Sequence, residues 1–457
     1  MTRTTRTGLR VETLEARDCP ALTVIFSGSN LYLRGTPVLS AAFDPTQETG
    51  LDLDLAANGG LRVREVTPTR TIDYGSYLVT GNVQLDLDYY NTNINLNLGG
   101  HRLPGNVTMN LGRGDINTSF TSFNPISLYN GAIGGNLSIR GGSGLEFMNL
   151  GLSGFGAQPA LPLDVGGFVT VTGSSGTNSN DLFGVGDQLN VNDGTLLRKD
   201  LITNQIDSII LGDAITNGGR VNGGVVLNVA RSGNEGNLSV FGQVGGNVTF
   251  VGSDIKGALN AGERVVVRTG SQVSGNVTAV FGQGLSFLTV ENGGTVLGCV
   301  TDASGNDAAL IDVEGNIFGS LSASLGNGAN LILLGGFIGG NADMTAGNGG
   351  DTVIVTGAIA GHLRMHFGNG DNSLEFDGTL GGPDLQYTGG SGQDSVTING
   401  TNSFTLYAWL GAGADTLTIS QSDGLGGACI DFGLDFDADV FNPPPLIGFH
   451  FKMTNFP

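Results

Sequence analysis

Residues 340–380 read GNADMTAGNGGDTVIVTGAIAGHLRMHFGNGDNSLEFDGTL, and the same pattern passes twice through them. In the first copy apolar side chains fall at Ala342, Met344 and Ala346, then at Val353 and Val355, then at Ile359. The second copy repeats the offsets with Leu363, Met365, Phe367, Leu374, Phe376 and Leu380. Both longer runs alternate with period 2, the mark of half-buried strands, whereas a helix would bring apolar residues back every three or four positions. No window of the chain argues for a helix.

Working outward, the polar residue that opens the second run recurs as Asn330, Asp351, Asn372, Asp394 and Asp415, at spacings of 21, 21, 22 and 21. A period of this length means a solenoid. One coil of two or three short strands cannot bury its inner face, but copies stacked about 4.8 Å apart enclose a continuous apolar core. The expected fold is all-β: a parallel β-helix of about fourteen coils, roughly 65 Å long at that spacing. The 79 glycines suit its tight corners, where positive φ costs glycine nothing. Gly-Asn pairs open the first strand at Gly81, Gly105, Gly135, Gly246, Gly275 and Gly340, and read as stacked asparagine ladders. Four of them also spell a glycosylation acceptor (Asn106, Asn136, Asn247 and Asn276), a spelling that the repeat alone explains.

The repeat divides the chain into residues 1–20, which lack it, 21–80, read as an N-terminal cap and first coils, 81–420, the β-helix, and 421–457, a C-terminal cap. A solenoid needs its ends covered, because an open strand edge templates aggregation. Coil starts near Gly81, Gly105, Gly135, Gly166, Gly194, Gly224 and Gly246 are unevenly spaced, as expected of loops inserted at corners. Residues 196–206, with Arg198 and Lys199, are the least repeat-like and read as a long loop.

Acidic residues outnumber basic ones 41 to 20, for a net charge of −21, which disfavours nucleic acid and anionic membranes as partners. Charge of this kind also guards a strand-rich surface against edge-to-edge aggregation. Cys19, Cys299 and Cys429 are scattered without metal-ligand spacing and imply neither a zinc site nor a disulfide framework. No apolar run reaches the length of a membrane span, the nearest being residues 331–338, broken by Gly335 and Gly336.

The basic opening, with Arg3, Arg6, Arg10 and Arg17, ends in Leu14-Glu15-Ala16-Arg17-Asp18-Cys19-Pro20. Its Leu14, Glu15, Arg17 and Pro20 fit Leu-Glu-x-Arg-x-x-Pro, which resembles the N-terminal segment of many exported, repeat-rich proteins of planctomycete bacteria. The resemblance covers about twenty residues and implies a secreted or cell-surface location, without implying an activity.

The repeat also sorts the side chains that point out of the first strand: Asp343; His362, Arg364 and His366; Asp384 and Gln386; Tyr407 and the one tryptophan, Trp409. One patch thus gathers histidines, an arginine, carboxylates and aromatics. It is similar, in fold and face, to the outer sheet face that carries the groove of right-handed β-helix polysaccharide lyases and hydrolases. That resemblance implies His362 or His366 as base and Arg364 as electrostatic stabiliser in a lyase, or Asp343 with Asp384 in a glycoside hydrolase. A second expectation is glycan binding without catalysis, through Tyr407, Trp409 and Gln386. Asp351, Asp371, Asp394 and Asp415 each follow a glycine-rich corner that resembles half of the calcium-binding Gly-Gly-x-Gly-x-Asp repeat of nonapeptide-repeat toxins and proteases. They read either as Ca²⁺ ligands or as structural turn residues, and no other cofactor is expected. The leading expectation is a non-enzymatic, exported or cell-surface adhesion or scaffold protein whose partner is a polysaccharide or cell-envelope component. A polysaccharide lyase or glycoside hydrolase is the alternative.

Overall fold

The computed structural model describes residues 22–35, 50–66, 70–87, 89–90, 93–114, 125–142, 147–152, 160–173, 187–212, 218–229, 236–253, 262–399, 403–420, 426–433, 439–443 and 451–454. The basic opening segment with Leu14, Glu15, Arg17 and Pro20 lies outside them.

The chain winds as a parallel β-helix with no helix among the described residues. Each regular coil carries three strands, as in Leu363–His366, Ser373–Phe376 and Thr379–Leu380. First strands pair only with first strands of neighbouring coils and form an 18-stranded sheet, while second and third strands form a 28-stranded one. Register is kept residue for residue: Leu321 pairs with Ala342, Ala342 with Leu363, Leu363 with Leu385, and Leu385 with Leu406. Alternation in sequence becomes alternation in burial, so Leu363, Met365, Leu374, Phe376 and Leu380 are at most 4% exposed and join one core running the length of the stack.

Within the first sheet one strand, Leu22–Ser27, runs antiparallel to its neighbour Asn30–Gly35, which leaves seventeen parallel strands. The stack is therefore about 80 Å long. The count exceeds the fourteen coils expected by three: Asn30–Gly35 stands one rung ahead of the coil that opens at Gly81, and beyond Ser420 the strands Gly427–Asp431 and Phe451–Thr454 add two more. Their alternating Ala428, Ile430 and Met453 keep the inward face, although the corner residues no longer resemble the repeat. At the other end Leu22–Ser27 folds back on Asn30–Gly35, and Gly60–Val66 with Thr71–Leu78 fold back on Gly50–Leu55. These antiparallel strands cover the edge that the first parallel coil would otherwise expose.

Residues 196–206 are not a long loop. They contain the strands Leu196–Leu197 and Leu201–Asn204, both in register with the coils on either side. Leu197, Leu201, Thr203 and Ile206 face inward, and Asp200 stands in the corner column where other coils have Asn, its Oδ1 accepting the N–H of Gly224. The basic pair Arg198-Lys199 hid an ordinary corner.

Candidate functional site

The outer face of the first sheet brings the outward candidates into three columns. In one, Asp343, Arg364, Gln386, Tyr407, Cys429 and Lys452 succeed one another coil by coil. A second carries Thr345, His366, Thr388, Trp409, Asp431 and Thr454, and a third runs through Asp384 and Thr405. Cys429 and Lys452 belong to this face although sequence reading left them in a cap. Their signal was the alternation about Ala428 and Ile430.

The charged groups of the patch bond to one another. His362 Nε2 lies 3.0 Å from Asp343 Oδ1. An ionised carboxylate only accepts, so Nε2 is the donor of this bond. Arg364 Nη2 donates to Asp384 Oδ2 at 3.4 Å, and Gln386 Nε2 donates to the same oxygen. Asp384, only 9% exposed, is thus held beneath two donors. His366 Nδ1 lies 3.2 Å from Thr388 Oγ1. Asp343 and Asp384 stand two coils apart, and the coil between them bonds one side chain to each, His362 to Asp343 and Arg364 to Asp384.

Tyr407 and Trp409, two residues apart on the strand Thr405–Trp409, stack with ring centroids 5.9 Å apart and planes 12° from parallel. Trp409 remains 41% exposed. The pair can present one wide aromatic surface and a phenol hydroxyl on a regular sheet, flanked by the polar Gln386 and Thr388, a combination suited to the apolar faces and hydroxyl edges of a sugar.

The four corner aspartates do not form one set. Asp351, Asp394 and Asp415 are at most 2% exposed and point into the solenoid, in one column with Asn330 and Asn372. Asp371 is exposed; the equivalent of Asp351 in its coil is Asn372, and Asp371 Oδ1 accepts the N–H of Gln393 at 2.8 Å. Along the inner column every side chain takes the backbone N–H of the coil before it: Asn330 to Asp351 Oδ1 at 3.1 Å, Asp351 to Asn372 at 3.1 Å, Asn372 to Asp394 at 3.0 Å, Asp394 to Asp415 at 2.9 Å, and Asp415 to Asp439 at 3.0 Å. This is the hydrogen-bond satisfaction that a buried backbone requires at a corner.

The second carboxylate oxygens of Asp351 and Asp394 find no donor of good geometry. Burial accordingly pushes both acids up, Asp394 to about 6, against the pull of the bonds from Asn330 and Asn372. The fully buried Tyr387 faces Asp394, and its phenol is raised well above the usual range, first by burial and then by that carboxylate. Asp394 Oδ2 occupies space that a side chain at position 389 would fill, since a Cβ on Gly389 would lie 1.6 Å from it. Neighbouring coils place Phe367 and Leu410 at that inward position. Among the described residues no group of three or more His, Cys, Asp or Glu side chains is arranged to hold a metal ion.

The chain matches no protein-family model, no curated protein and no solved structure. Function is therefore argued from the face itself.

Proposed function

We propose that this is an exported or cell-surface β-helical protein of structural or adhesive role that binds a glycan on the outer face of its first sheet, without cleaving it. The observation that carries the reading is the exposed Trp409 stacked on Tyr407 amid polar side chains. Against catalysis stands the state of the candidate groups: the carboxylates that would serve as acid or nucleophile are already accepting from His362, Arg364 and Gln386. The long regular exterior, the covered N-terminal edge and the acidic surface suit display at an envelope. Location rests on the N-terminal resemblance, and fractionation of cells that express the full chain tests it: recovery in the cytosol alone overturns it.

The binding test is depletion of neutral and acidic polysaccharides by the purified chain, following bound sugar and new reducing ends together. Binding without new ends, weakened at least tenfold in Trp409→Ala and unchanged in stability, is the expected result. New ends that disappear in Arg364→Ala would instead establish a polysaccharide lyase or hydrolase, and no binding by any sugar would remove the glycan from the reading.

A further inference from the structure

The second sheet turns a different kind of surface outward. Most of its coils show polar residues there, such as Gln188 and Asn190, Ser395 and Thr397, or Thr416 and Thr418. In the four middle coils, from Phe287 to Ile354, five of the eight corresponding positions are apolar. One column reads Arg264, Phe287, Leu310, Leu331, Thr352 and Ser373, and its neighbour two residues along reads Val266, Thr289, Asp312, Leu333, Ile354 and Glu375. Phe287, Leu310, Leu331, Leu333 and Ile354 thus make a contiguous apolar area on a flat face, with Leu331 itself 37% exposed. Nothing in the packing of the core asks for it, because Leu288, Ile311, Ile332, Leu334 and Val353 fill the inner side of the same strands.

The charges at its two ends are opposite. Arg264 is exposed, lies over the Phe287 ring at 5.1 Å, and makes no ion pair among the described residues. Glu375 is exposed five coils further on and likewise makes none. Five coil steps span about 24 Å.

We propose that this face docks on the same face of a second copy of the chain, with the two solenoids antiparallel. Flat sheet faces pack about 10 Å apart, and a two-fold axis along the strands midway between the Leu310 and Leu331 coils makes the area complementary to itself. Leu310 then meets Leu331 of the other copy, and Phe287 meets its Thr352 beside Ile354. The coil of Arg264 lies over the coil of Glu375, with Arg264 opposite Ser373 and Glu375 two residues further along the strand, about 7 Å away, so both ends close with a guanidinium diagonal to a carboxylate. A parallel arrangement would set Arg264 on Arg264 and Glu375 on Glu375. Asp312 is the one charge inside the area and faces Leu333 of the other copy, which limits the strength of the contact. Six coils by a four-residue strand cover only about 300 Å², well below what a permanent dimer buries, so the association is reversible.

Sedimentation velocity of the full chain, in reductant to silence the exposed Cys299 and Cys429, across low to high micromolar concentration is the test. The wild type is expected to dimerise with concentration and Leu331→Asp to stay monomeric with an unchanged circular dichroism spectrum. Arg264→Glu and Glu375→Arg should each weaken association several-fold, the double variant should recover it, and Asp312→Asn should strengthen it. A wild type that is monomeric throughout, a dimer indifferent to Leu331→Asp, or a double variant no better than the single ones overturns the proposal.

Discussion

Replacing Asp302 with asparagine removes an ionisable group from inside the solenoid without changing its shape. Asp302 is 2% exposed and sits on the inward side of the strand Val300–Ala303, between Ala279 and Ala323 of the adjoining coils. Its Oδ1 accepts from Ser304 Oγ at 2.6 Å, and Ser286 donates to Ser304 at 2.9 Å. One hydroxyl does not replace the water that an ionised carboxylate loses, and burial pushes the acid from 3.8 to about 7. The folded chain then holds a proton that the unfolded chain releases at any pH between those values. Stability is greatest below 3.8, falls as pH rises through the interval, and levels off above 7. A shift of about three units corresponds to about 4 kcal/mol. Guanidinium unfolding followed by circular dichroism from pH 4.5 to 8.5 should show wild type and Asp302→Asn diverging as pH rises, with the variant the more stable at the alkaline end by up to that amount. Taking the difference between the two proteins cancels the repulsion among surface charges, which changes in the same direction. A difference independent of pH would refute the reasoning, since Asp302 would then ionise as freely folded as unfolded.

Gly389→Ala should lower stability by about 2 kcal/mol or more, because its Cβ collides with Asp394 Oδ2 and with the carbonyl oxygen of Leu410, and the loss should shrink but not vanish when Asp394→Ala is added; equal losses in both backgrounds would argue against the collision with Asp394. Asn276→Ala should cost about 1 kcal/mol, measured as a shift in the denaturation midpoint, because its Oδ1 accepts the N–H of Cys299 across the corner. Since one oxygen of each inner aspartate accepts a backbone N–H and no metal-holding group is gathered among the described residues, chelation of Ca²⁺ should leave the melting temperature unchanged, and a rise on adding millimolar calcium would show that they bind it. Wild-type stability should increase on acidification from pH 7 towards 5, as the raised acids Asp302, Asp351 and Asp394 gain their protons in the folded state; a fall over that range would contradict it.

The fold was legible because alternation of side chains is a local property that a solenoid repeats without change, as Leu363, Met365, Leu374, Phe376 and Leu380 illustrate. Coils at the ends were harder to see, since Gly427–Asp431 keeps the alternation and loses the glycine-rich corner. The outward patch could be placed by counting, but its pairing could not. That Asp384 lies under Arg364 and Gln386, and Asp343 against His362, depends on which columns abut, and the extra residue in the corner before Asp384 shifts it into the column of His362. The corner aspartates divide for a physical reason. Asp371 and Asn372 are adjacent and both polar, and only the direction of the chain at the turn decides which one enters the core. Gly392, at φ 147° in the next coil, shows how far that turn departs from a strand.

The corner and inner ladders run in opposite senses. At the corner Asn276 receives the N–H of Cys299, from the coil that follows, whereas inside Asp351 receives the N–H of Asn330, from the coil before. Every rung therefore both gives and takes, and the residues that do so are interchangeable: Asn or Asp inside, and Asn, Ser, Asp or even the thiol of Cys299 at the corner. Removal of one 21-residue turn joins like to like on both ladders and on the core. Length is thus a dimension that this molecule can gain or lose in units of about 4.8 Å, with no other part of its architecture redrawn.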